Sequence, residues 1–251
     1  MCSDLHRIGV IVPTANVTTE DELREYCPPE VRTHIARLFR ESYELNPDTL
    51  QELIASTDDA ARQIARVDPE VTLWACTSGS FIRGLAGEAD ISRRIEQVTG
   101  TKAITTSAAL VQALHAVAAK RVYLVTPYID SINEQEVKFF QDSGFDVTHT
   151  ATFRMSDTRT IRQTPSAEVA NLVRREADKA GAFDAVFVSC TQLHSMDALD
   201  ELERTLGVPV ISSNSATLWA GLNALGVSGA DINAGMLFRT ARAGASARAG
   251  A

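Results

Sequence analysis

Two cysteines, Cys76 and Cys190, stand at corresponding places in the sequence and are the side chains best suited to chemistry. Each ends a short apolar run and is followed by threonine: VTLWA precedes Cys76-Thr-Ser-Gly-Ser, and AVFVS precedes Cys190-Thr-Gln-Leu. A thiol between the carboxyl end of a strand and the next helix faces N–H groups that favour an anion and lower its pKa. Two such thiols on one cleft can move a proton or add to a double bond beside a carboxylate. The alternative is that both are buried core cysteines.

An internal repeat relates the two cysteines to each other. Cys76 and Cys190 are 114 residues apart. The run RIGVIVP, which begins at Arg7, is followed by the similar run RVYLVTP at the same offset of 114 residues. A third pair of segments, which begin at Gly100 and Gly207, has an offset of 107 residues. Three matches in the same order indicate two related halves. The two thiols then approach each other if the halves pack face to face.

Short β-branched runs alternate with amphipathic stretches along the chain, which is typical of βαβ units and an α/β fold. Several runs are apolar on both faces, as the central strands of a parallel sheet must be. The predicted strands are Arg7–Val12, Thr33–Leu38, Val71–Ala75, Lys102–Thr105, Val122–Thr126, Asp146–Thr152, Ala185–Ser189 and Val208–Ile211. The predicted helices are Pro47–Ile64, Ser107–Ala119, Ile132–Ser143, Ser166–Ala180, Asp197–Leu206 and Ala216–Ala224. Both cysteines therefore fall at the carboxyl ends of strands, outside which open α/β sheets bind their ligands.

Composition and charge argue against several classes of protein. Lys and Arg number 24 against 32 Asp and Glu, and the formal net charge of −8 argues against binding to nucleic acid or to an anionic membrane. No apolar run approaches the roughly 20 residues of a membrane span. The four cysteines form no Cys-x-x-Cys pair, so that neither a disulfide scaffold nor a zinc site is expected. We expect a cytoplasmic enzyme with reduced thiols.

Three segments carry a family resemblance. PTANVTTE, which contains Asn16, is similar to the P-S-S-N-T-x-x-E opening of maleate cis-trans isomerases. TPYIDSINE, which contains Tyr128, is similar to a T-x-Y-I-D-x-x-N-E segment of those isomerases and of arylmalonate decarboxylases. The run CTSGSF, which begins at Cys76, resembles the G-T-S-x-S-F loop of the decarboxylases, with cysteine in place of the first glycine. The chain thus resembles this branch of the aspartate/glutamate racemase superfamily.

The resemblance implies an α/β fold of two pseudo-twofold-related, Rossmann-like halves, each with a parallel sheet, and an active site in the cleft between them. It implies a late crossover of the chain, so that residues 1–106 and 215–251 form the first half, with Cys76, and residues 107–214 form the second, with Cys190. It also implies no cofactor, no metal and a small carboxylate as substrate. We further expect a homo-oligomer, a dimer or a tetramer.

The resemblance also implies roles for individual side chains. In maleate isomerases the thiolate matching Cys76 adds to the double bond, and the thiol matching Cys190 handles the proton at the neighbouring carbon. In racemases one thiolate removes the α-proton and the other thiol delivers one to the opposite face. An enolate-like dianion needs preorganised donors, and we expect neutral ones, with no Lys or Arg in the cleft. The residues expected to bind the substrate are Asn16, Thr77, Ser78, Tyr128 and Thr191.

Two other functions stay open on the sequence. A decarboxylase of a malonate-type diacid uses only the cysteine matching Cys190, which protonates a planar intermediate. A protein that binds a carboxylate without chemistry has no need of paired thiols. Thr158 stands where the isomerases carry an asparagine, which leaves the substrate open. Three arginines could bind a carboxylate, but we expect them at the surface: Arg37, Arg40 and Arg159. His194 is also a candidate, and for this residue a surface role and a role in the site are both open.

Overall fold

Eight strands form two four-stranded parallel sheets. The structure is a computed structural model that describes residues 5–240. The strands are β1 (His6–Pro13), β2 (Val31–Leu38), β3 (Val71–Trp74), β4 (Lys102–Thr105), β5 (Arg121–Tyr128), β6 (Asp146–Met155), β7 (Ala185–Val188) and β8 (Val210–Ser212). The first sheet has the order β2-β1-β3-β4 and the second the order β6-β5-β7-β8. The predicted strands and the α/β fold of two related halves are thus confirmed.

The strand register reproduces the sequence repeat. Ile11 of β1 pairs with Trp74 of β3, and Val125 of β5 pairs with Val188 of β7. Both residues of the second pair lie 114 positions after those of the first, which is also the offset between the two cysteines. Each cysteine follows its strand by two residues, so that both lie at the same edge of equivalent sheets.

Within residues 5–240, eleven α-helices accompany the sheets. They are α1 (Thr18–Tyr26), α2 (Pro47–Ala55), α3 (Thr57–Ile64), α4 (Thr77–Phe81), α5 (Gly84–Thr99), α6 (Thr106–Ala116), α7 (Asp130–Asp142), α8 (Thr158–Arg162), α9 (Ser166–Glu176), α10 (Leu199–Leu206) and α11 (Ser213–Leu225). In this part of the chain no helix has the length and apolar character that crossing a membrane requires.

The predicted helix over residues 47–64 is divided at Ser56 into α2 and α3. Asn46 caps α2 as expected, since its side chain accepts from the N–H of Thr49 at 3.0 Å. The Ser56 hydroxyl donates to the carbonyl of Leu53 at 2.8 Å and accepts from the N–H of Phe39 at 2.9 Å. A serine side chain that bonds to nearby backbone in this way competes with the helical hydrogen bonds.

Four helices have no counterpart in the sequence prediction: α1, α4, α5 and α8. The longest of them, α5, buries only Ile91 and Ile95 among its 16 residues, so that no continuous apolar stripe marks it in the sequence. Helices α4 and α8 have five residues each, which is too short to display a helical period.

Helix α11 follows the last strand of the second sheet but packs on the first sheet. A methyl group at Gly221 of α11 would stand 3.0 Å from Leu73 Cδ1 of β3 and 3.3 Å from Ile8 Cδ1 of β1, so this glycine allows a close approach. We therefore propose the division that the resemblance implies, with the crossover placed at α11. Residues 1–4 and 241–251 of that division lie outside the described part of the chain.

A carboxyl group is buried in the second half. Glu136 of α7 is 0% exposed, and its Oε1 lies 2.6 Å from Ser189 Oγ at the end of β7. Within the described residues its Oε2 has no hydrogen-bond partner. Burial raises the pKa of Glu136 to about 8, against a smaller opposing effect of the Ser189 hydrogen bond. At neutral pH this side chain is therefore a neutral acid inside the core.

We expect Glu136 to make the stability of the protein fall as the pH rises. In the unfolded chain this carboxyl loses its proton near pH 4.5, whereas the folded protein keeps the proton up to about pH 8. The folded state therefore binds more protons between these values, and a Glu136→Gln variant removes that linkage. Between pH 5 and 8 the unfolding free energy of the wild type should fall by several kcal/mol relative to that of this variant. The size of this fall follows from the difference between the pKa values of Glu136 in the folded and unfolded states.

Denaturant unfolding at a series of pH values measures this difference. Glu134→Gln is the matched control, because Glu134 is exposed on the same helix. The buried carboxyl is not neutral if wild type and Glu136→Gln show parallel pH profiles.

Candidate active site

A cavity lies at the carboxyl ends of the strands and takes its walls from both halves. About 390 Å³ of space free of atoms lies in and at the mouth of this cavity, part of it open to solvent. Six of the seven residues that the sequence predicts for the site line it: Cys76, Thr77, Ser78, Tyr128, Cys190 and Thr191. The repeat-related strand ends therefore meet at one place, and the two thiols share one cavity.

Cys76 is buried at the amino end of α4. The N–H of Gly79 donates to its sulfur, and Ser78 Oγ lies 4.0 Å from that sulfur. A methyl group at Gly79 would stand 2.5 Å from the Trp74 ring and 3.1 Å from the sulfur, so that only glycine fits beside the thiol. Burial raises the pKa of Cys76, while the Gly79 N–H, the charge of Arg40 and the Ser78 hydroxyl act in the opposite direction.

Cys190 has a backbone φ of 95°, in the region that favours glycine. Its N–H donates to Ser213 Oγ at 2.9 Å, and its sulfur accepts from the N–H of Gln192 at 3.4 Å. A conformation of this kind costs about 1–3 kcal/mol and persists only where the surroundings fix it. Burial raises the pKa of Cys190 to about 12, with the Gln192 N–H and the Tyr128 hydroxyl lowering it.

The two thiols also influence each other. A negative charge on Cys76 raises the pKa of Cys190. Backbone N–H groups after each cysteine lower the thiol pKa as the sequence predicts, but desolvation outweighs them, so that the expected net lowering is wrong. The cavity therefore favours at most one thiolate while the other sulfur keeps its proton. A nucleophile and a proton donor need this combination of charges.

Tyr128 is held in place by other residues of the TPYIDSINE segment. Asn133 Nδ2 donates to the carbonyl of Tyr128 at 3.0 Å, and Thr126 Oγ1 donates to Asn133 Oδ1 at 2.6 Å. The ring packs edge-on against Phe81, with 6.2 Å between the ring centroids. Its hydroxyl lies 3.5 Å from Ser189 Oγ. The threonine and asparagine of this segment thus position the tyrosine and do not themselves line the cavity.

Asn16 is fully buried and does not line the cavity. Its Nδ2 donates to Thr19 Oγ1 and to Thr191 Oγ1, each at 3.0 Å, and its Oδ1 accepts from the N–H of Thr19 at 3.1 Å. The hydroxyl of Thr191 donates to the carbonyl of Ala75 at 3.3 Å. The Asn16 amide is thus occupied in joining the loop after β1 to the loop after β7. Its expected contact with the substrate stays a prediction.

A carboxylate that the sequence did not single out completes this junction. Glu22 of α1 accepts from the N–H groups of Ser195 at 2.8 Å and Met196 at 2.9 Å, and from Asn214 Nδ2 at 2.5 Å. Burial raises the pKa of Glu22, and these hydrogen bonds oppose the rise. The segment that follows Cys190 is therefore anchored to the first half of the chain.

Arg40, which the sequence assigns to the surface, lines the cavity and is only 8% exposed. Its Nη2 donates to Thr158 Oγ1 at 3.3 Å. The expectation of a cleft without Lys or Arg is therefore wrong. The segment between β2 and α2 carries no motif, so that the burial of Arg40 follows only from the tertiary structure. Other lining residues that the sequence did not single out are Leu45, Leu50, Leu53 and Gln192.

The remaining charged candidates lie outside the cavity lining. Arg37 and Arg159 are exposed and form ion pairs with carboxylates, and Arg159 also stacks on the Tyr43 ring at 4.5 Å. Their predicted surface position is confirmed. His194 is partly buried, and its Nε2 lies 3.4 Å from Thr18 Oγ1. Within residues 5–240, no three His, Cys, Asp or Glu side chains stand together as a metal site requires.

Known proteins include relatives that are similar to most of this chain. Arylmalonate decarboxylase of Bordetella bronchiseptica is 31% identical over 220 residues, which are 87% of this chain and 90% of that protein. Maleate isomerase of Pseudomonas putida is 29% identical over 235 residues, which are 89% of this chain and 93% of that protein. Both names belong to the branch that the sequence motifs indicate.

A solved structure and a family profile agree with these similarities. The structure is a cysteine-to-serine variant of Nocardia farcinica maleate cis-trans isomerase with a covalently bound succinylcysteine intermediate. It is 26% identical, has a TM-score of 0.86, and covers 94% of this chain and 99% of that one. The profile of the arylmalonate decarboxylase family matches residues 8–238, a range that contains the whole cavity and both sheets except the first two residues of β1. The chain therefore belongs to the arylmalonate decarboxylase family.

Proposed function

We propose that the protein is a cofactor-independent isomerase of a small carboxylate, with Cys76 as nucleophile or base and Cys190 as proton donor. The observation that carries this proposal is that both thiols line one cavity together with the hydroxyls of Thr77, Ser78 and Tyr128. The similarity to maleate isomerases supports an isomerase. The succinylcysteine of the Nocardia farcinica structure supports a covalent bond between a cysteine and the substrate.

The first half of the proposed cycle is an addition. Cys76 first loses its proton to solvent, and the thiolate then attacks one carbon of a cis double bond that is conjugated with a carboxylate. A C–S bond forms, the π bond breaks, and its electron pair moves onto the neighbouring carbon and the carboxylate. Cys190 then gives its proton to that carbon, which leaves a thioether on Cys76 and a thiolate on Cys190. The negative charge passes from one sulfur to the other, so that two thiolates never coexist.

The second half of the cycle reverses these steps after a rotation. The former double bond is now a single bond, and rotation about it changes the relative orientation of the two ends of the substrate. The Cys190 thiolate removes the proton, the double bond forms again in the trans geometry, and the C–S bond breaks. Cys76 returns as the thiolate and Cys190 as the thiol. No cofactor is consumed in this cycle.

The negative charge of the intermediate needs donors that are fixed before the reaction begins. Thr77 and Ser78 at the start of α4, Tyr128 at the end of β5 and Thr191 after β7 place hydroxyls at the cavity wall. In this structure Thr77 Oγ1 donates to Ser213 Oγ at 2.8 Å and Thr191 Oγ1 donates to the carbonyl of Ala75 at 3.3 Å, so these two hydroxyls have to turn in order to donate to a carboxylate. Burial raises the pKa of Tyr128 well above its ordinary value, so that this hydroxyl keeps its proton and remains a donor. We assign the substrate carboxylate to these four hydroxyl groups.

A cofactor-free decarboxylase of a malonate-type diacid is the second candidate. The observation that favours it is the 31% identity to arylmalonate decarboxylase, together with the Thr77-Ser78 loop that resembles the loop of those enzymes. That reaction requires a proton from Cys190 and gives Cys76 no role. Because the structure places Cys76 in the same cavity as Cys190, two-thiol chemistry is the better explanation of the site.

A proton-NMR screen in deuterated water tests the reaction class. Maleate, aspartate, glutamate and an arylmalonate are offered in turn, and isomerisation, deuterium exchange and loss of CO2 give different spectra. We expect isomerisation of a cis-unsaturated carboxylate. The homo-oligomeric state, the cytoplasmic location and the lack of binding to nucleic acid or membranes stay predictions.

Replacing either thiol should abolish isomerisation. In Cys76→Ser the nucleophile is lost, and in Cys190→Ser the proton donor is lost, since a serine hydroxyl is nearly isosteric but far less acidic than a thiol. Turnover is followed by NMR and folding by circular dichroism. Cys27→Ser is the control, because Cys27 is a free thiol outside the cavity lining. If Cys76→Ser keeps its activity while Cys190→Ser loses it, the one-thiol decarboxylase mechanism is correct instead.

Removing the hydroxyl of Tyr128 should slow the reaction without unfolding the protein. Loss of one preorganised donor typically costs about 10²–10³ in rate, so we expect a fall of that size in kcat/KM for Tyr128→Phe. The matched control is Tyr123→Phe in the same strand, because that hydroxyl donates to the carbonyl of Val173 at 3.1 Å and does not line the cavity. Unchanged kinetics of Tyr128→Phe on the substrate would show that this tyrosine serves packing alone.

A further inference from the structure

Arg40 is the one charged side chain among the residues that line the cavity. The other lining residues are apolar, hydroxyl-bearing, amide-bearing or thiol-bearing, and none is Asp, Glu, Lys or His. A guanidinium keeps its positive charge in a protein. The cavity is thus positively charged as long as both thiols keep their protons.

This buried charge has no anionic partner in the described part of the chain. Arg37, three residues earlier, pairs with Glu20, and Arg94 pairs with Asp58, whereas no Asp or Glu oxygen of residues 5–240 lies within 4.0 Å of the Arg40 guanidinium. Its one side-chain hydrogen bond goes to a neutral hydroxyl, that of Thr158. A guanidinium can donate five hydrogen bonds, so most of its capacity is unused by side chains. Burying an unpaired charge costs free energy of folding. A ligand of opposite charge that binds beside the guanidinium offsets this cost.

The charge of Glu52 acts on Arg40 from beyond ion-pair distance, and the Cys76 thiol is the alternative partner inside the cavity. This thiol does not account for Arg40. The charge of Arg40 lowers the pKa of Cys76, yet burial still leaves that pKa above its ordinary value. The resting thiol therefore remains protonated, and the positive charge stays available to a ligand. The leucines Leu45, Leu50 and Leu53 also line the cavity and offer no hydrogen bonds.

We infer that Arg40 binds a second carboxylate of a dianionic substrate, at a subsite distinct from the hydroxyl groups that receive the first carboxylate. The planar fork of a guanidinium matches a carboxylate with two parallel hydrogen bonds, and such bonds are stronger than those between neutral groups. This inference rests on the proposed function, which it deepens by assigning the second carboxylate to one charged residue of this chain. It also makes Arg40 the residue that discriminates between a diacid and a monoacid.

A binding experiment with unreactive ligands tests Arg40 separately from the reaction. Succinate is a saturated dicarboxylate, and succinamate is a monoanion of the same length in which an amide replaces one carboxylate. Calorimetric titration measures both affinities for the wild type, Arg40→Met and Arg62→Met. Arg62 is the control because its side chain is 62% exposed and pairs with Asp59.

We expect the wild type and Arg62→Met to bind succinate more tightly than succinamate. Arg40→Met should lose about 10- to 100-fold in succinate affinity, which is the size of a charge-assisted hydrogen bond, and its affinity for succinamate should change little. The ligand-free Arg40→Met protein should melt no lower than the wild type, because an unpaired buried charge has been removed. If Arg40→Met does not fold, Arg40→Gln replaces it with the same expected loss of preference.

Two results would overturn the inference: an unchanged preference for succinate in the Arg40 variant, or an equal loss of affinity for both ligands. If wild type prefers succinate through Arg40 but isomerises no dicarboxylate, the subsite stands and the proposed reaction fails. If the protein isomerises maleate while the preference does not depend on Arg40, the reaction stands and this inference fails.

Discussion

Desolvation of two thiols in one small cavity governs the electrostatics of the whole site. Burial raises the pKa of both Cys76 and Cys190, and a charge on one opposes a charge on the other. The cavity therefore allows one negative charge, which can pass from one sulfur to the other. It disfavours two thiolates at the same time. Hydroxyl groups, backbone N–H groups and Arg40 then set where that charge is lowest in energy. Chemistry in which one sulfur attacks while the other delivers a proton fits this constraint.

The rest of the structure keeps the two thiol-bearing loops together. Gly79 leaves room for the Cys76 sulfur against Trp74, and Ser213 at the start of α11 accepts the N–H of Cys190 in its strained conformation. Because α11 packs on the first sheet, that hydrogen bond joins the second cysteine to a helix that contacts the sheet of the first cysteine. Asn16 and Glu22 add further hydrogen bonds between the loops after β1 and β7. The cavity is therefore fixed by polar contacts between halves as well as by packing within each half.

The sequence predicted the features that depend on local pattern and repetition. The offset of 114 residues between the cysteines reappears in the strand register, because equivalent strands of a repeat end at equivalent places. Arg40 was misplaced, since nothing in the residues around it distinguishes a buried arginine from an exposed one. Asn16 was predicted to touch the substrate, but whether a buried amide faces a cavity or a neighbouring loop depends on contacts across 175 positions of the chain. Helix α5 was missed because so few of its residues are buried.

Trapping the covalent intermediate shows whether the Cys76 sulfur bonds to the substrate. Cys190→Ser is incubated with maleate, digested, and the peptides that contain Cys76 and Cys27 are weighed by mass spectrometry. In this variant the carbanion takes its proton slowly from water, and the thioether then persists because the thiolate that would remove the proton again is missing. The completed addition raises the mass of the modified peptide by that of one maleic acid. We expect this adduct on the Cys76 peptide and not on the Cys27 peptide. Turnover of maleate by the wild type without any adduct on Cys76 in the variant, or an adduct of equal extent on Cys27, would contradict it.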